Sequence, residues 1–262
     1  PRHAHYFGTS SLLHATMATV SRCGMLWFQA DTVPVAVMVN RCSHMLQGLS
    51  IDDLLPMTSP EQNVTGNYCL GDSSQARETH TRTLKTYLDY VCLQLTTESG
   101  VIHKAISYYE TEIHGGHAFG EGTYSITACL YSVISLLREG ARALLEHEAS
   151  MTTARRLRTS AVQSYGAKYT LFSLFWGLGG PLSQDGRAAL AIFLARAARP
   201  GDVDFPSSPG DDERESKVLV DYFVSMKIDV SGWTSWSKLV PKIEINTDVL
   251  ASSQMLIPTS DT

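Results

Sequence analysis

Arg22 is the residue in this sequence whose type and position best suit contact with a phosphate. It ends the small-residue segment 15–21, Gly24 breaks the backbone two residues later, and the apolar run 25–28 suits a short buried strand. This order predicts a guanidinium at the mouth of a sheet that points out of its own domain. A planar cation suits a phosphate held by a neighbour. On spacing alone, a structural salt bridge at the strand entrance explains Arg22 equally well.

Two other groups of residues have the chemistry to bind a ligand, and each also has an ordinary structural explanation. Arg155, Arg156 and Arg158 could form a phosphate patch, although a solvated helix face is the usual meaning of such a run. Trp233 and Trp236 could stack on a ligand, but aromatic residues beside a strand more often anchor packing. Neither group predicts a site by itself.

The elements of a complete ATP site are missing from the sequence. A phosphate loop needs a glycine-rich turn followed by lysine, and the chain has no Gly-Lys dipeptide. The Mg²⁺ carboxylate should follow an apolar strand, whereas Asp212-Glu213 stands in a Ser-Pro-Gly linker. His114 and His117 have a metal-like spacing, but no further ligands stand nearby, so we expect no metal site. The isolated chain is therefore predicted to bind no cofactor and to lack ATPase activity.

The composition is that of a soluble globular protein and excludes several classes of function. The net charge is −5, and no dense basic face suits nucleic acid. The five cysteines are odd in number and form no C-x-x-C pair, which indicates free thiols in a reducing compartment. No apolar run approaches the ~20 residues that span a membrane. We expect a cytosolic protein, and a start at Pro-Arg-His without Met indicates a piece of a longer one.

The hydrophobic periodicity predicts several amphipathic helices joined by short glycine-containing turns, followed by strands. The predicted helices run from about residue 34 to 46, 83 to 95, 101 to 113, 124 to 147, 153 to 178 and 184 to 198. A polar stretch at 56–82 is expected to be a surface loop. After an acidic linker, segments 217–228 and 242–245 alternate as strands do.

Three stretches of the chain resemble one protein family. Ala-Thr-Val-Ser-Arg-Cys-Gly-Met at 18–25 resembles the end of the large subdomain in the second AAA+ module of cytoplasmic dynein heavy chains. Leu-Phe-Trp-Gly-Leu-Gly-Gly at 174–180 is similar to the Trp-x-Leu-x-Gly helix end of the AAA+ lid in that family. Segments 230–245 and 255–262 are similar to the connection from the second module to the third. By resemblance, the chain is identified as a dynein heavy chain fragment.

The resemblance implies a three-part architecture that is mainly α with short β segments (α+β). Residues 1–33 would end the large α/β subdomain of an AAA+ module. Residues 34–200 would form its small helical lid subdomain, with a mobile loop at 56–82. Residues 201–262 would form the linker and the β connection to the next AAA+ module.

The chain departs from the family pattern at two places. Residues 1–11 are unlike the usual family sequence before the segment that contains Arg22. Where dynein lids tend to carry an arginine that senses bound nucleotide, this chain aligns Ser125. The resemblance therefore implies that the pocket of this module lacks one phosphate contact.

The resemblance also implies a function. The parent would be an ATP-driven motor that uses Mg²⁺ and moves along microtubules, located in the cytoplasm on the cytoskeleton. Arg22 would act in trans on the ATP of a neighbouring AAA+ module. Expected partners are those modules, dynein intermediate and light chains, and microtubules, with no nucleic acid and no membrane. The alternative is a non-catalytic helical protein-interaction module derived from a degenerate AAA+ domain. An independent enzyme is disfavoured, because no acid/base or nucleophile constellation stands out.

Overall fold

The structure, a computed structural model, describes residues 15–22, 33–55, 74–113, 126–151, 157–198, 203, 219–225 and 232–240. The chain divides into two compact units, Pro1–Pro34 and Val35–Thr262. In the first unit, the described element is helix α1 (Met17–Arg22). The second unit is a helical bundle followed by a small antiparallel sheet.

The helices of the second unit are α2 to α8, in chain order. Their bounds are Val35–Gln47, Ile51–Leu54, Ser74–Thr96, Val101–Tyr108, Ile126–Ser150, Thr159–Gly179 and Gln184–Ala197. Helix α5 continues directly into a π-helix, Tyr109–Ile113. Strands β1 (Tyr222–Val224) and β2 (Trp233–Ser235) follow, and a 3₁₀ turn, Trp236–Lys238, comes after β2. The predicted class, mainly α with short β segments, is confirmed.

Helix α7 lies at the centre of the second unit. It packs against α4, α6, α8 and strand β1. Most of its residues are buried, and they lie on every side of the helix. A helix without a polar face has to be enclosed by others, because burying each large apolar side chain stabilises the fold by ~1.5–3 kcal/mol. The apolar run that the sequence shows at 169–178 is therefore a core helix.

Helix α4 contributes the apolar stripe that the sequence predicts. The side chains of the stripe are all buried: Leu84, Tyr87, Leu88, Val91 and Leu95. After α4 the chain turns through Gly100, where an added Cβ would lie 2.1 Å from the carbonyl oxygen of Gln94. The turn therefore needs glycine because the backbone approaches closely, and α5 begins at the next residue.

Helices α6 and α7 approach closely at two glycines. A Cβ at Gly177 would lie 2.5 Å from Cγ2 of Val133 and 2.9 Å from the backbone nitrogen of the same residue. On the other helix, a Cβ at Gly140 would meet the Tyr169 ring at 2.4 Å. Thus a glycine of each helix packs against a side chain of the other helix. This reciprocal packing holds the two longest apolar helices together.

Strands β1 and β2 form a two-stranded antiparallel sheet that places one tryptophan inside and one at the surface. Trp233 faces Val224 in the register and is buried. Trp236 is 39% exposed and stacks on Phe223 with ring centroids 4.5 Å apart. Gly232 precedes β2 with φ of +83°, a left-handed conformation that favours glycine. Both tryptophans therefore serve packing, as their position beside a strand suggested.

The predicted loop over 56–82 is wrong from Ser74 onward, because helix α4 begins there. The threonines that gave the stretch its polar character, Thr79 and Thr81, donate their hydroxyls to carbonyl oxygens four residues earlier, at 2.9 and 2.8 Å. His80 between them is buried. The polar side chains thus bond to the backbone of their own helix, a pattern that composition alone does not reveal. Residues 56–73 lie outside the described part.

The predicted helix over 153–178 begins later than expected. Helix α7 starts at Thr159, and Arg158 is its N-cap residue with an extended backbone. Arg158 therefore does not lie on a solvated helix face, as the arginine run had suggested, but precedes the helix. Residues 152–156 lie outside the described part. Leu157 packs against the core and thereby fixes where the chain enters the helix.

Among the described residues of the predicted strand 217–228, residues 222–224 form β1. Residues 219–221 form a helical turn, and the strand that pairs with β1 is β2. Period-2 alternation therefore did not separate the helical turn at 219–221 from the strand that follows it. The other predicted strand, 242–245, lies outside the described residues.

Candidate functional site

Arg22 lies in the last turn of α1 and is exposed. Helix α1 is short, and its first backbone hydrogen bond runs from the amide of Val20 to the carbonyl oxygen of Thr16 at 3.0 Å. A cation at a helix C-terminus interacts favourably with the helix dipole. The described residues of the first unit, 15–22 and 33–34, include no acidic side chain. Both the phosphate contact and the strand-entrance salt bridge therefore stay predictions for Arg22.

Several residues singled out in the sequence lie outside the described part. The expected strand at 25–28, the histidines His114 and His117, and Ser125 at the nucleotide-sensor position belong to this group. Their predicted roles stay predictions. Among the residues that the structure does describe, no group of three or more metal-ligating side chains comes together.

A cleft of about 460 Å³ opens between α2, α3 and α4 in the second unit. Its apolar lining includes Ile51, Leu84 and Leu88. An ion pair crosses the rim, with Nη2 of Arg77 2.7 Å from Oδ2 of Asp52. Both side chains are more than half exposed, so the pair contributes ~1 kcal/mol or less. The lining places no nucleophile beside a base, so it does not form a recognisable catalytic site.

A buried polar contact joins α4 to the end of α6. The hydroxyl of Thr83 donates to Oε1 of Glu148 at 2.8 Å, and both residues are buried. Oε2 of Glu148 is enclosed without a hydrogen-bond partner among the described residues. Two residues so far apart in sequence give no joint signal, so sequence reasoning missed this contact. Among the described residues no cation lies within ion-pair distance of Glu148, so the contact joins the two helices but suggests no reaction.

The three cysteines in the described part are free and buried, as the odd cysteine count predicted. Burial raises the pKa of the thiols of Cys42, Cys92 and Cys129. The hydroxyl of Tyr109 lies 3.4 Å from Sγ of Cys129, and this hydrogen bond lowers the thiol pKa by less than burial raises it. Thiols of raised pKa and low exposure are poor nucleophiles. These cysteines therefore pack in the core and are not catalytic.

Comparison with known protein families defines the class of this helical domain. Residues 123–238 match the model of the dynein heavy chain AAA lid domain. The matched range contains α6, α7, α8 and both strands. The closely packed glycine pair of α6 and α7 and the sheet that packs on α7 therefore lie within the region that is similar to the AAA lid domain.

Relatives extend the similarity to nearly the whole chain. It is 27% identical over 256 residues to "Dynein heavy chain, cytoplasmic" of Neurospora crassa, 25% over 258 residues to that of Drosophila melanogaster, and 25% over 281 residues to that of Dictyostelium discoideum. Each alignment covers 98% of this chain but only 5% or 6% of the relative. These similarities support a dynein heavy chain fragment in which residues 123–238 are similar to an AAA lid domain.

No helix among the described residues has the length and apolar character needed to cross a membrane.

Proposed function

We propose that this chain serves as the lid of one AAA+ module in an ATP-driven, microtubule-based dynein motor, and that it is non-catalytic by itself. The observation that carries the proposal is the match of residues 123–238 to the dynein AAA lid, because the matched range includes the α6–α7 pair at the centre of the bundle. A lid of this kind acts by its shape and by its contacts with neighbours. The sequence supplies neither phosphate loop nor Mg²⁺ carboxylate for a site of its own.

Arg22 is the residue of this chain that we propose takes part in ATP hydrolysis, in trans. In a ring of AAA+ modules, each nucleotide lies between neighbours, so an exposed arginine of one module reaches the phosphates held by another. During phosphoryl transfer, charge spreads over the equatorial oxygens, and a forked guanidinium stabilises that charge better than a lysine does. The exposure of Arg22 in the last turn of α1 supports this role.

The remaining features of the parent motor follow from the same proposal. ATP and Mg²⁺ are its cofactors, bound by modules outside this chain. Its partners are the neighbouring AAA+ modules, dynein intermediate and light chains, and microtubules, and it works in the cytoplasm on the cytoskeleton. The relatives named "Dynein heavy chain, cytoplasmic" support this assignment.

Titration calorimetry of the isolated chain with Mg²⁺ and ATP tests the non-catalytic part of the proposal. We expect no binding tighter than about 1 mM, since the phosphate-binding elements are missing. A preparation of the intact heavy chain, titrated in the same buffer, is the positive control. A stoichiometric isotherm with a micromolar Kd for the isolated chain would contradict the proposal.

A further inference from the structure

The arginine run that the lid function leaves unexplained ends directly before two hydroxyl residues, Thr159 and Ser160. In the sequence, Arg155 and Arg156 stand four and three residues before Thr159, and Arg158 stands immediately before it. Clustered arginines at fixed distances before a hydroxyl are the charge pattern by which basic-directed Ser/Thr protein kinases choose substrates. Thr159 therefore has the sequence surroundings of a residue that accepts a phosphoryl group from such a kinase.

The fold leaves this acceptor accessible. Arg158, Thr159 and Ser160 are all exposed, whereas Val162 on the same first turn is buried. Arg158 has an extended backbone, with φ of −73° and ψ of 146°. No described residue accepts from or donates to the Thr159 side chain. A kinase can therefore reach the hydroxyl from solvent, between the core contacts made by Leu157 on one side and Val162 on the other.

We propose that Thr159 is a phosphorylation site for a basic-directed Ser/Thr protein kinase. The kinase transfers the γ-phosphoryl group of ATP to Oγ1 of Thr159. A P–O bond to Oγ1 forms while the bond between the γ-phosphorus and the β–γ bridging oxygen breaks, and ADP leaves. The hydroxyl proton passes to the catalytic aspartate of the kinase.

The position of Thr159 determines what the phosphate does to the fold. Helix α7 has no acidic residue in its first turn, and no side chain caps its amides. A phosphate there adds a charge of about −2 next to free amide groups and beside the exposed Arg158. Phosphorylation therefore stabilises the start of the helix that lies at the centre of the bundle, and it makes the charge at that surface less positive.

Phosphorylation of the complete chain in vitro tests the assignment. The chain is incubated with Mg²⁺, ATP and a basic-directed kinase, and the modified residue is located by mass spectrometry of peptides. We expect near-stoichiometric phosphate on Thr159, full loss of it in Thr159→Ala, and retention in Thr159→Ser and Ser160→Ala. Arg156→Gln should slow the reaction about tenfold or more, because it removes a charge-assisted contact with the kinase.

Thr81 is the internal control, since it is an exposed threonine on α4 with Glu78 three residues before it. Its hydroxyl already donates to the carbonyl oxygen of Arg77 at 2.8 Å. Thr81 should remain unmodified by the basic-directed kinase. An acid-directed kinase should leave Thr159 unmodified. Phosphate on Thr81 or Ser160 in place of Thr159 contradicts the assignment, and so does modification of the unfolded chain only.

The effect on the fold has a separate readout. The phosphorylated chain should melt about 1 to 3 °C higher than the unmodified chain. Thr159→Ala treated with the same kinase should show no change in Tm. An unchanged or lower Tm for a chain phosphorylated fully on Thr159 contradicts the stabilisation of α7.

Discussion

The hydroxyl of Tyr165 in α7 donates a hydrogen bond to the carbonyl oxygen of Gly140 in α6 at 3.1 Å. The contact is buried, and it lies where α6 has a glycine and therefore no side chain between the two backbones. One turn earlier on α6, the hydroxyl of Tyr87 from α4 donates to the carbonyl oxygen of Leu137 at 3.0 Å. Two tyrosines from different helices thus bind consecutive turns of α6 and fix its position in the core.

Replacing Tyr165 by Phe should remove one of these bonds and leave the ring in place. The Gly140 carbonyl keeps its acceptor role within the helix, so we expect a loss of ~0.5–1.5 kcal/mol in the free energy of unfolding. Urea unfolding of Tyr165→Phe and of Tyr131→Phe measures it, because Tyr131 is 38% exposed on the same helix α6 that Tyr165 contacts. Equal stability of the two variants and the wild type would show that the hydroxyl does not contribute.

Gly177→Ala should lower the stability of the fold, because the loss in packing between α6 and α7 exceeds the gain in helix propensity. The new Cβ meets the backbone nitrogen of Val133 at 2.9 Å, and a backbone atom has little freedom to move aside. We expect a loss of ~1–3 kcal/mol. Gly179→Ala on the same helix is the matched control, since its nearest neighbour is a Leu190 side-chain carbon at 3.4 Å. A lower Tm for Gly179→Ala than for Gly177→Ala would contradict the close approach of α6 and α7 at Gly177.

Tyr169 should make the fold sensitive to alkali. Its pKa is raised to about 12, mainly by burial and secondly by the carboxylate of Glu139, while Arg142 acts in the opposite direction. Because the folded pKa lies above the unfolded value of about 10, the stabilising contribution is complete below pH 10 and is lost as the pH rises towards 12. Unfolding free energies at pH 9 and 11.5 should differ less in Tyr169→Phe than in the wild type. An identical pH dependence in both proteins would contradict the assignment.

The sequence predicts the helical part of this fold well because long amphipathic periods are local signals. The α4 stripe from Leu84 to Leu95 and the all-round apolar α7 follow directly from residue order. The start of α4 at Ser74 was missed, because the threonines of its first turns bond to their own helix and composition treats them as loop. The β1–β2 pairing was missed because a three-residue ladder gives almost no period to detect.

For the candidate site too, the sequence predicts some features and misses others. The type and neighbourhood of Arg22 suggest a phosphate contact or a salt bridge. The resemblance to dynein heavy chains favours the phosphate contact. The contacts that hold the helical bundle together, such as Thr83 with Glu148, join residues far apart in the chain. No local sequence pattern indicates such pairs, because they depend on how α4 and α6 pack in three dimensions.

ATP turnover by the intact motor with Arg22 replaced is the most direct test of this account. Arg22→Ala and Arg22→Lys should both lower turnover at the neighbouring site by roughly 10³-fold or more, with Tm unchanged, because a lysine cannot reproduce the forked contact. Met17→Ala, at an exposed position of the same helix α1, should keep full activity. If Arg22→Ala instead melts earlier and keeps its turnover per folded molecule, Arg22 is a structural residue. A stable and fully active Arg22→Ala motor would contradict the account outright.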